Sequence, residues 1–193
     1  TYAMTAPLEL GPEDSGVTWE AAPGTRPVFS GGREITGWAE ADGGIWKAPL
    51  PEKGWNFEQL WVNGRRATRA RTPNKGYLHL DGSVGPGVFS GLDANFNFHA
   101  FTLHETDYDL LKAIPASQRD DVLVTVTHAW AVGQCRIEAL NDDFLAVKIK
   151  GRASYPFIEF EPDQRFWMEN FRAALDAPGE WFLDREKGEV LYR

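Results

Sequence analysis

The sequence predicts a mainly β protein, and three observations carry this prediction. Asn63-Gly64 is typical of a tight hairpin, because both central residues of a type I′ turn need a positive φ. Apolar residues alternate through residues 122–130, 134–140 and 144–150, which predicts a meander of three antiparallel strands. Turn-forming pairs interrupt residues 11–38 so often that only short strands fit between them.

The hairpin around Asn63-Gly64 brings charged and aromatic residues together. In the predicted register Trp61 faces Arg66, so the guanidinium can stack on the indole, and Glu58 faces Arg69. Four arginines follow one another closely here: Arg65, Arg66, Arg69 and Arg71. They indicate an anion site, or alternatively a charged hairpin that covers an acidic body. With the meander, this hairpin is expected to close a small barrel or sandwich.

The remaining elements follow from turn signals and periodicity. The predicted short strands are 17–21, 27–29, 34–38, 45–48, 77–80 and one near 96–101, the last within a long loop over 81–101. Thr106 and Asp109 form a capping box before a short helix over 107–113. Apolar residues at helical spacing predict a longer helix over 163–175, and a hairpin follows with strands 180–184 and 189–192.

Composition excludes several classes of partner. The 193 residues carry a net charge of −8 and a pI near 5.0, which argues against nucleic acid and anionic membrane surfaces. No apolar run approaches the ~20 residues of a membrane span. Cys135 is the only cysteine, so an intrachain disulfide is impossible.

Motifs for catalysis and metal binding are absent from the sequence. It has no phosphate loop, paired-cysteine motif, HExxH or GxSxG, and we assign no cofactor, metal or catalytic residue. His99 and His104 stand five residues apart near Asp107, where a metal site is the less favoured alternative. His128 is expected to be a half-buried histidine with its hydrogen bonds satisfied. Among 28 acidic residues some pair at glycosidase spacing is inevitable, so such a pair is no signal.

Three segments carry a family resemblance: PEDSGVTWEAAPGTRPVFSGGREITGW, WVNGRRATRARTPN and FWMENFRAALDAPGEWFLDREKGEVLYR. They resemble bacterial right-handed parallel β-helix proteins of glycoside hydrolase family 141 and its relatives. The resemblance implies early β-helix coils over 1–50, an inserted antiparallel β-domain over 51–162, and a helix and hairpin over 163–193 that return to the β-helix. It also implies a bacterial secreted or periplasmic parent protein whose catalytic acids lie beyond Arg193, so that this chain would be a piece of it.

Two functions are consistent with these features. In the first, the chain is the non-catalytic amino-terminal portion of a polysaccharide-degrading enzyme, where it caps the β-helix and shapes the substrate groove. In the second, it is a freestanding carbohydrate-binding or structural module. The expected partners are carbohydrate and the remainder of the parent chain. The candidate substrate-binding residues are Trp61, Arg66, Arg69, Arg71 and Trp130. Another three tryptophans belong either to a sugar-stacking platform or to the core: Trp38, Trp46 and Trp55.

Overall fold

The computed structural model describes residues 1–92 and 94–193, and its contacts divide the chain into two units, Thr1–Thr36 and Gly37–Arg193. Asp93, in the predicted long loop, lies outside the described residues. The fold is mainly β, as predicted. Its strands are β1 (Tyr2–Ala3), β2 (Phe29–Ser30), β3 (Ala39–Ala41), β4 (Ile45–Pro49), β5 (Trp61–Val62), β6 (Arg65–Arg66), β7 (Thr68–Arg69), β8 (Arg71–Thr72), β9 (Leu78–Ser83), β10 (Ala100–Leu103), β11 (Leu123–Thr127), β12 (Val132–Asn141), β13 (Ala146–Ile149), β14 (Arg165–Glu169), β15 (Glu180–Asp184) and β16 (Glu189–Tyr192).

Helices are few and short. The α-helices are α1 (Glu105–Lys112) and α2 (Ala116–Arg119), and 3₁₀ turns span Pro12–Asp14, Phe96–Phe98 and Arg172–Ala174. Among the helices of the described residues, none has the length and apolar content needed to cross a membrane.

The first unit, Thr1–Thr36, contains one parallel strand pair. β1 and β2 align Tyr2 with Phe29, and the two rings stack with centroids 5.1 Å apart. The predicted strand at 27–29 therefore exists with shifted bounds. No strand forms at 17–21 or 34–38, all of which the structure describes. These segments lack a buried face, and without burial a strand-like composition does not select extended pairing.

The second unit is built on a closed antiparallel barrel. Six strands form a ring in which each pairs with two neighbours, in the order β11-β12-β13-β10-β9-β14 and back to β11. The predicted meander supplies β11, β12 and β13, so that prediction is confirmed. The core of this unit includes Leu80, Phe101, Val124, Val126, Ile137, Val147, Ile149, Phe157, Phe166 and Met168.

The strand that closes the barrel, β14, lies where a helix was predicted. Residues 163–175 carry apolar side chains at helical spacing, but Phe166 and Met168 are buried alternately with the less buried Arg165, Trp167 and Glu169. This segment pairs with the free edges of β11 and β9. The backbone hydrogen bonds of these two pairings stabilise it as a strand, although its apolar residues have helical spacing. Only the 3₁₀ turn Arg172–Ala174 remains helical in this stretch.

A second sheet joins distant parts of the unit, in the order β3-β4-β16-β15-β7. The predicted hairpin of β15 and β16 is confirmed with the expected bounds. Its Phe182 and Leu191, together with Ile45 of β4, belong to the same core cluster as the barrel residues. The strand pair of 39–49 and the hairpin of 180–192 are therefore neighbours in space although most of the chain separates them.

The Asn63-Gly64 hairpin has the predicted register but a different place. Asn63 and Gly64 have φ of 51° and 74°, and Trp61 pairs with Arg66. β5 and β6 form a separate two-stranded sheet, so the expectation that this hairpin closes the barrel is wrong. β9, β10 and β14 close the barrel instead, because they bring buried apolar side chains, whereas β5 and β6 contain no buried residue.

Helix α1 is confirmed, but its cap is not. The N-cap is His104, which makes no side-chain capping bond, instead of Thr106. β10 runs to Leu103, so the chain enters the helix directly from the strand, two residues before the predicted cap. Buried Tyr108 and Leu111 pack α1 on the barrel core.

Candidate functional site

Some arginines of the predicted site are exposed, and others form hydrogen bonds within the protein. Trp61 and Arg66 lie opposite each other on the exposed hairpin. Arg69 has a side chain only 10% exposed; it donates to Glu58 Oε2 at 2.6 Å and to the Phe57 carbonyl at 3.3 Å. Its guanidinium also lies 5.0 Å from the centroid of Trp181. The predicted Glu58–Arg69 pair is thus confirmed, and it ties Arg69 into the protein itself.

Arg71 is held in a similar way by the backbone. Its Nε donates to the Pro73 carbonyl at 2.9 Å and a terminal nitrogen donates to the Gly76 carbonyl at 3.1 Å. The guanidinium stands 4.7 Å from the Trp167 ring centroid. Arg69 and Arg71 therefore stabilise the loop and sheet around them, which leaves Arg65 and Arg66 as the exposed arginines of the cluster.

Trp130 belongs to a different group of side chains. It follows the end of β11, is 64% exposed, and meets the ring of Tyr155 edge-on with centroids 5.5 Å apart. Phe160, which is 53% exposed, lies on another side of it at 5.4 Å. We call Trp130, Tyr155 and Phe160 the aromatic group. Tyr155 and Phe160 were not among the predicted site residues, although the aromatic density of residues 155–160 was a usable signal.

A cleft of about 430 Å³ lies beside the aromatic group, at one end of the barrel. Strand ends from β11, β12 and β13 and the segment that follows β13 form its walls. The lining residues are Val126, His128, Val132, Gly133, Gln134, Cys135, Arg136, Ile149, Lys150, Arg152, Ala153, Ser154, Tyr155 and Phe157. Aromatic and apolar surfaces with a few polar groups are the usual composition of a small-molecule site.

His128 is buried in this cleft with a defined tautomer. The Ile158 N–H donates to Gln164 Oε1 at 2.9 Å, so the opposite atom of the same amide is the NH₂ group. That NH₂ donates to His128 Nδ1 at 2.7 Å, which leaves the ring proton of a neutral His128 on Nε2. Burial lowers the pKa of His128, and Glu161 opposes this shift. The expectation of a hydrogen-bonded histidine is confirmed, and its burial is greater than predicted.

Cys135 in the same cleft is not a nucleophile. Burial raises its pKa to about 12, so the thiol stays protonated at neutral pH. Its Sγ donates to the Val124 carbonyl at 3.4 Å. The cysteine packs the wall between two barrel strands.

The two histidines considered as metal ligands, His99 and His104, each interact with a different protein group. His99 Nδ1 lies 2.7 Å from the Gly151 carbonyl oxygen, whereas His104 Nδ1 lies 3.2 Å from Asp81 Oδ1. Burial raises the pKa of Asp107, and the charges of His104 and His79 oppose that shift. Over residues 1–92 and 94–193 no group of three or more His, Cys, Asp or Glu could hold a metal ion.

The other tryptophans considered as a sugar platform have different surroundings. Trp55 packs on Phe57 with centroids 4.8 Å apart, and Phe57 stacks on buried Trp181 at 5.0 Å. Trp46 on β4 is exposed, and Trp38 is partly buried. These residues form no counterpart of the aromatic group beside the cleft.

Comparison with known proteins yields a likeness of fold. No protein-family model matches the sequence, and no curated protein matches it. A solved structure described as a glycoside hydrolase is similar over 85% of this chain, with a TM-score of 0.59 and 23% sequence identity. The match covers 28% of that chain, so this protein spans under a third of its structural neighbour. At this identity the likeness concerns the fold.

Proposed function

We propose that this chain is a non-catalytic, carbohydrate-binding portion of a polysaccharide-degrading glycoside hydrolase. The observation that carries the proposal is the aromatic group beside the barrel-end cleft. Trp130 and Phe160 are both exposed and lie in contact, and contiguous exposed apolar surface marks binding sites on proteins. Sugars present flat apolar C–H faces between their hydroxyl groups, and such faces pack on aromatic rings while the hydroxyls meet polar neighbours.

The proposed place of the chain in its parent is the beginning of a right-handed parallel β-helix. In this proposal residues 1–50 supply early coils, the barrel with its closing strand β14 is the inserted domain, and the hairpin of β15 and β16 returns to the β-helix. Three features support this: the parallel pair of β1 and β2, the shared sheet of 39–49 with 180–192, and a fold likeness that spans 28% of a glycoside hydrolase. The chain then caps the β-helix and shapes the substrate groove, in contact with the remainder of the parent chain. The parent is a secreted or periplasmic bacterial protein in this proposal.

A freestanding binding module is the second candidate, and the closed barrel favours it. Every strand of the ring has both edges paired, and its core is buried within the unit Gly37–Arg193. A domain of this kind holds a binding surface in place without the support of a neighbour.

Affinity electrophoresis through gels that contain xylan or pectin tests binding. Trp130→Ala should lose most of the retardation, because it removes the largest ring of the aromatic group. Phe144→Ala is the matched control, since Phe144 is an exposed aromatic residue at the opposite end of β12 from the cleft. Equal retardation of both variants and the unaltered protein, or no retardation of any of them, would reject the site.

Hydrolysis of xylan, fucosides and pectic substrates tests the non-catalytic part of the proposal. The chain should release no sugar, whereas the full-length parent should. Turnover by this chain that is lost when one of its own Asp or Glu residues is replaced would place an active site within it.

A further inference from the structure

The charge of the cleft differs from that of the whole protein. Among the described residues, its lining includes the cations Arg136, Lys150 and Arg152 and no carboxylate. The chain as a whole carries 28 acidic and 20 basic residues. Cations that line a cleft concentrate anions locally, because low-dielectric walls focus their field.

Arg152 is the cation best placed for a ligand. Its guanidinium lies 3.6 Å from the centroid of Phe98, a cation–π stack that restrains the planar fork without using its N–H donors. Its hydrogen bond to the protein runs to the adjacent Ala153 carbonyl at 3.5 Å, the limit of such a bond. Within residues 1–92 and 94–193 no carboxylate forms a salt bridge with Arg152, so its donors remain available.

Lys150 and Arg136 differ in what holds them. Lys150 Nζ lies 3.2 Å from Asp120 Oδ2 in a solvent-exposed pair, and exposed pairs of this kind contribute about 0–1 kcal/mol. Lys150 can therefore exchange its partner for a ligand at small cost. Arg136 is more strongly held, because it donates to the Asp121 carbonyl at 3.2 Å and has Glu58 at 3.6 Å.

His128 contributes to the same cleft without charge. The lowered pKa and the Gln164 bond keep it neutral, with its proton on Nε2. The Nε2 atom lies so close to Gly133 that a Cβ there would stand 3.3 Å from it. His128 therefore lines the cleft as an uncharged ring, and the cations supply the attraction for an anion.

We propose that the cleft binds an anionic sugar, in which a carboxylate or sulfate group contacts Arg152 and Lys150 while the sugar ring packs on the aromatic group. This proposal rests on the carbohydrate-binding function proposed above and specifies its ligand class. A guanidinium fork matches the paired oxygens of either group, and charge-assisted hydrogen bonds are about twice as strong as neutral ones. The anion site is thus at the barrel end rather than at the hairpin arginines, where Arg69 and Arg71 are bonded internally.

Titration calorimetry with paired oligosaccharides tests the proposal. The first pair is oligogalacturonate and its fully methyl-esterified form, which has the same backbone without charge. The second pair is sulfated carrageenan oligosaccharide and neutral agarose oligosaccharide. At least one anionic member should bind about tenfold more tightly than its neutral partner, and the pair that shows this identifies carboxylate or sulfate as the group recognised.

Charge-removing variants connect this preference to the cleft. Arg152→Ala should abolish the preference for the anionic member, and Lys150→Ala should reduce it. Lys112→Ala is the control, since Lys112 forms a comparable exposed pair with Asp142 outside the cleft. Raising the salt concentration should weaken binding of the anionic ligand and leave binding of the neutral ligand unchanged.

The two proposals fail in different ways. Equal binding of charged and neutral partners, still weakened by Trp130→Ala, would overturn the anionic ligand and leave carbohydrate binding in place. An anionic preference that persists in Arg152→Ala and Lys150→Ala would also overturn it. Absence of binding to all four oligosaccharides would overturn both proposals.

Discussion

The barrel and the first 36 residues are both β structure, but burial supports only one of them. Four of the five residues of β11 are buried, on both of its faces, and the strand is paired on both edges. No residue of Thr1–Thr36 is buried, and the rings of Tyr2 and Phe29 stack while 60% and 62% exposed. A two-stranded sheet is marginal in water, whereas a closed ring around a core is not. Strand pairing alone therefore says little about stability; the buried area decides it.

The largest effect should follow from a cavity in the barrel. Phe101 is fully buried against Phe157, with centroids 4.8 Å apart, so Phe101→Ala removes a large ring from a close-packed site. We expect the free energy of unfolding in urea to fall by about 3–5 kcal/mol. A loss below about 1 kcal/mol would mean that the barrel is as loosely packed as the first 36 residues.

The buried amide of the cleft should have the next largest effect. Gln164→Leu leaves the Ile158 N–H and His128 Nδ1 without their partner, at a cost of about 1–3 kcal/mol for a buried unsatisfied group. Urea denaturation measures the loss. Gln134→Leu is the control, because Gln134 is a more exposed glutamine of the same cleft and should lose less.

Acid should destabilise the barrel through His128. The folded state lowers its pKa below the usual 6.5, so between the two values the unfolded chain binds more protons. Stability is therefore full above pH 6.5 and falls as the pH decreases toward the lowered pKa, by at most about 1.4 kcal/mol per pH unit for one proton. Denaturation at a series of pH values should show a smaller slope for His128→Gln. If stability had the same pH dependence in His128→Gln as in the unaltered protein, His128 would be excluded as the cause of the acid destabilisation.

The hairpin turn should be less sensitive than the core. Gly64 has a φ of 74°, a conformation that a β-branched residue resists, so Gly64→Val should cost about 1 kcal/mol or more. Gly85→Val is the control, since Gly85 is exposed, has open space around it and lacks a positive φ. Equal melting temperatures for the two variants would contradict the strained turn.

The smallest effect should come from the first 36 residues. Phe29→Ala removes an exposed ring whose stacking partner is equally exposed, so the unfolding free energy should change by less than about 0.5 kcal/mol. The measurement is the one used for Phe101→Ala. A loss comparable to that of Phe101→Ala would show that exposure does not distinguish the two regions.

Local signals in the sequence predicted the elements that depend on local physics. The Asn63-Gly64 turn, the meander and the hairpin of β15 and β16 follow from φ preference and alternation. β14 could not be predicted in this way, because the partners that make it a strand lie more than 35 residues earlier in the chain. The cleft could not be predicted for the same reason: Trp130 was a candidate, but Arg152 and Tyr155 reach the cleft, and Gln164 reaches His128, only through the closed barrel.

The late position of β14 has a consequence for synthesis of the chain. β11 and β9 each keep one unpaired edge until Arg165–Glu169 arrives, since this strand pairs with both of them. A nascent chain that stops before this point presents two open sheet edges, which are templates for pairing with other chains. Such closure over long sequence separation is also slow, because the loop entropy is lost before the contacts form. Pairing of Arg165–Glu169 with both edges is thus the step that converts an aggregation-prone sheet into an edgeless ring.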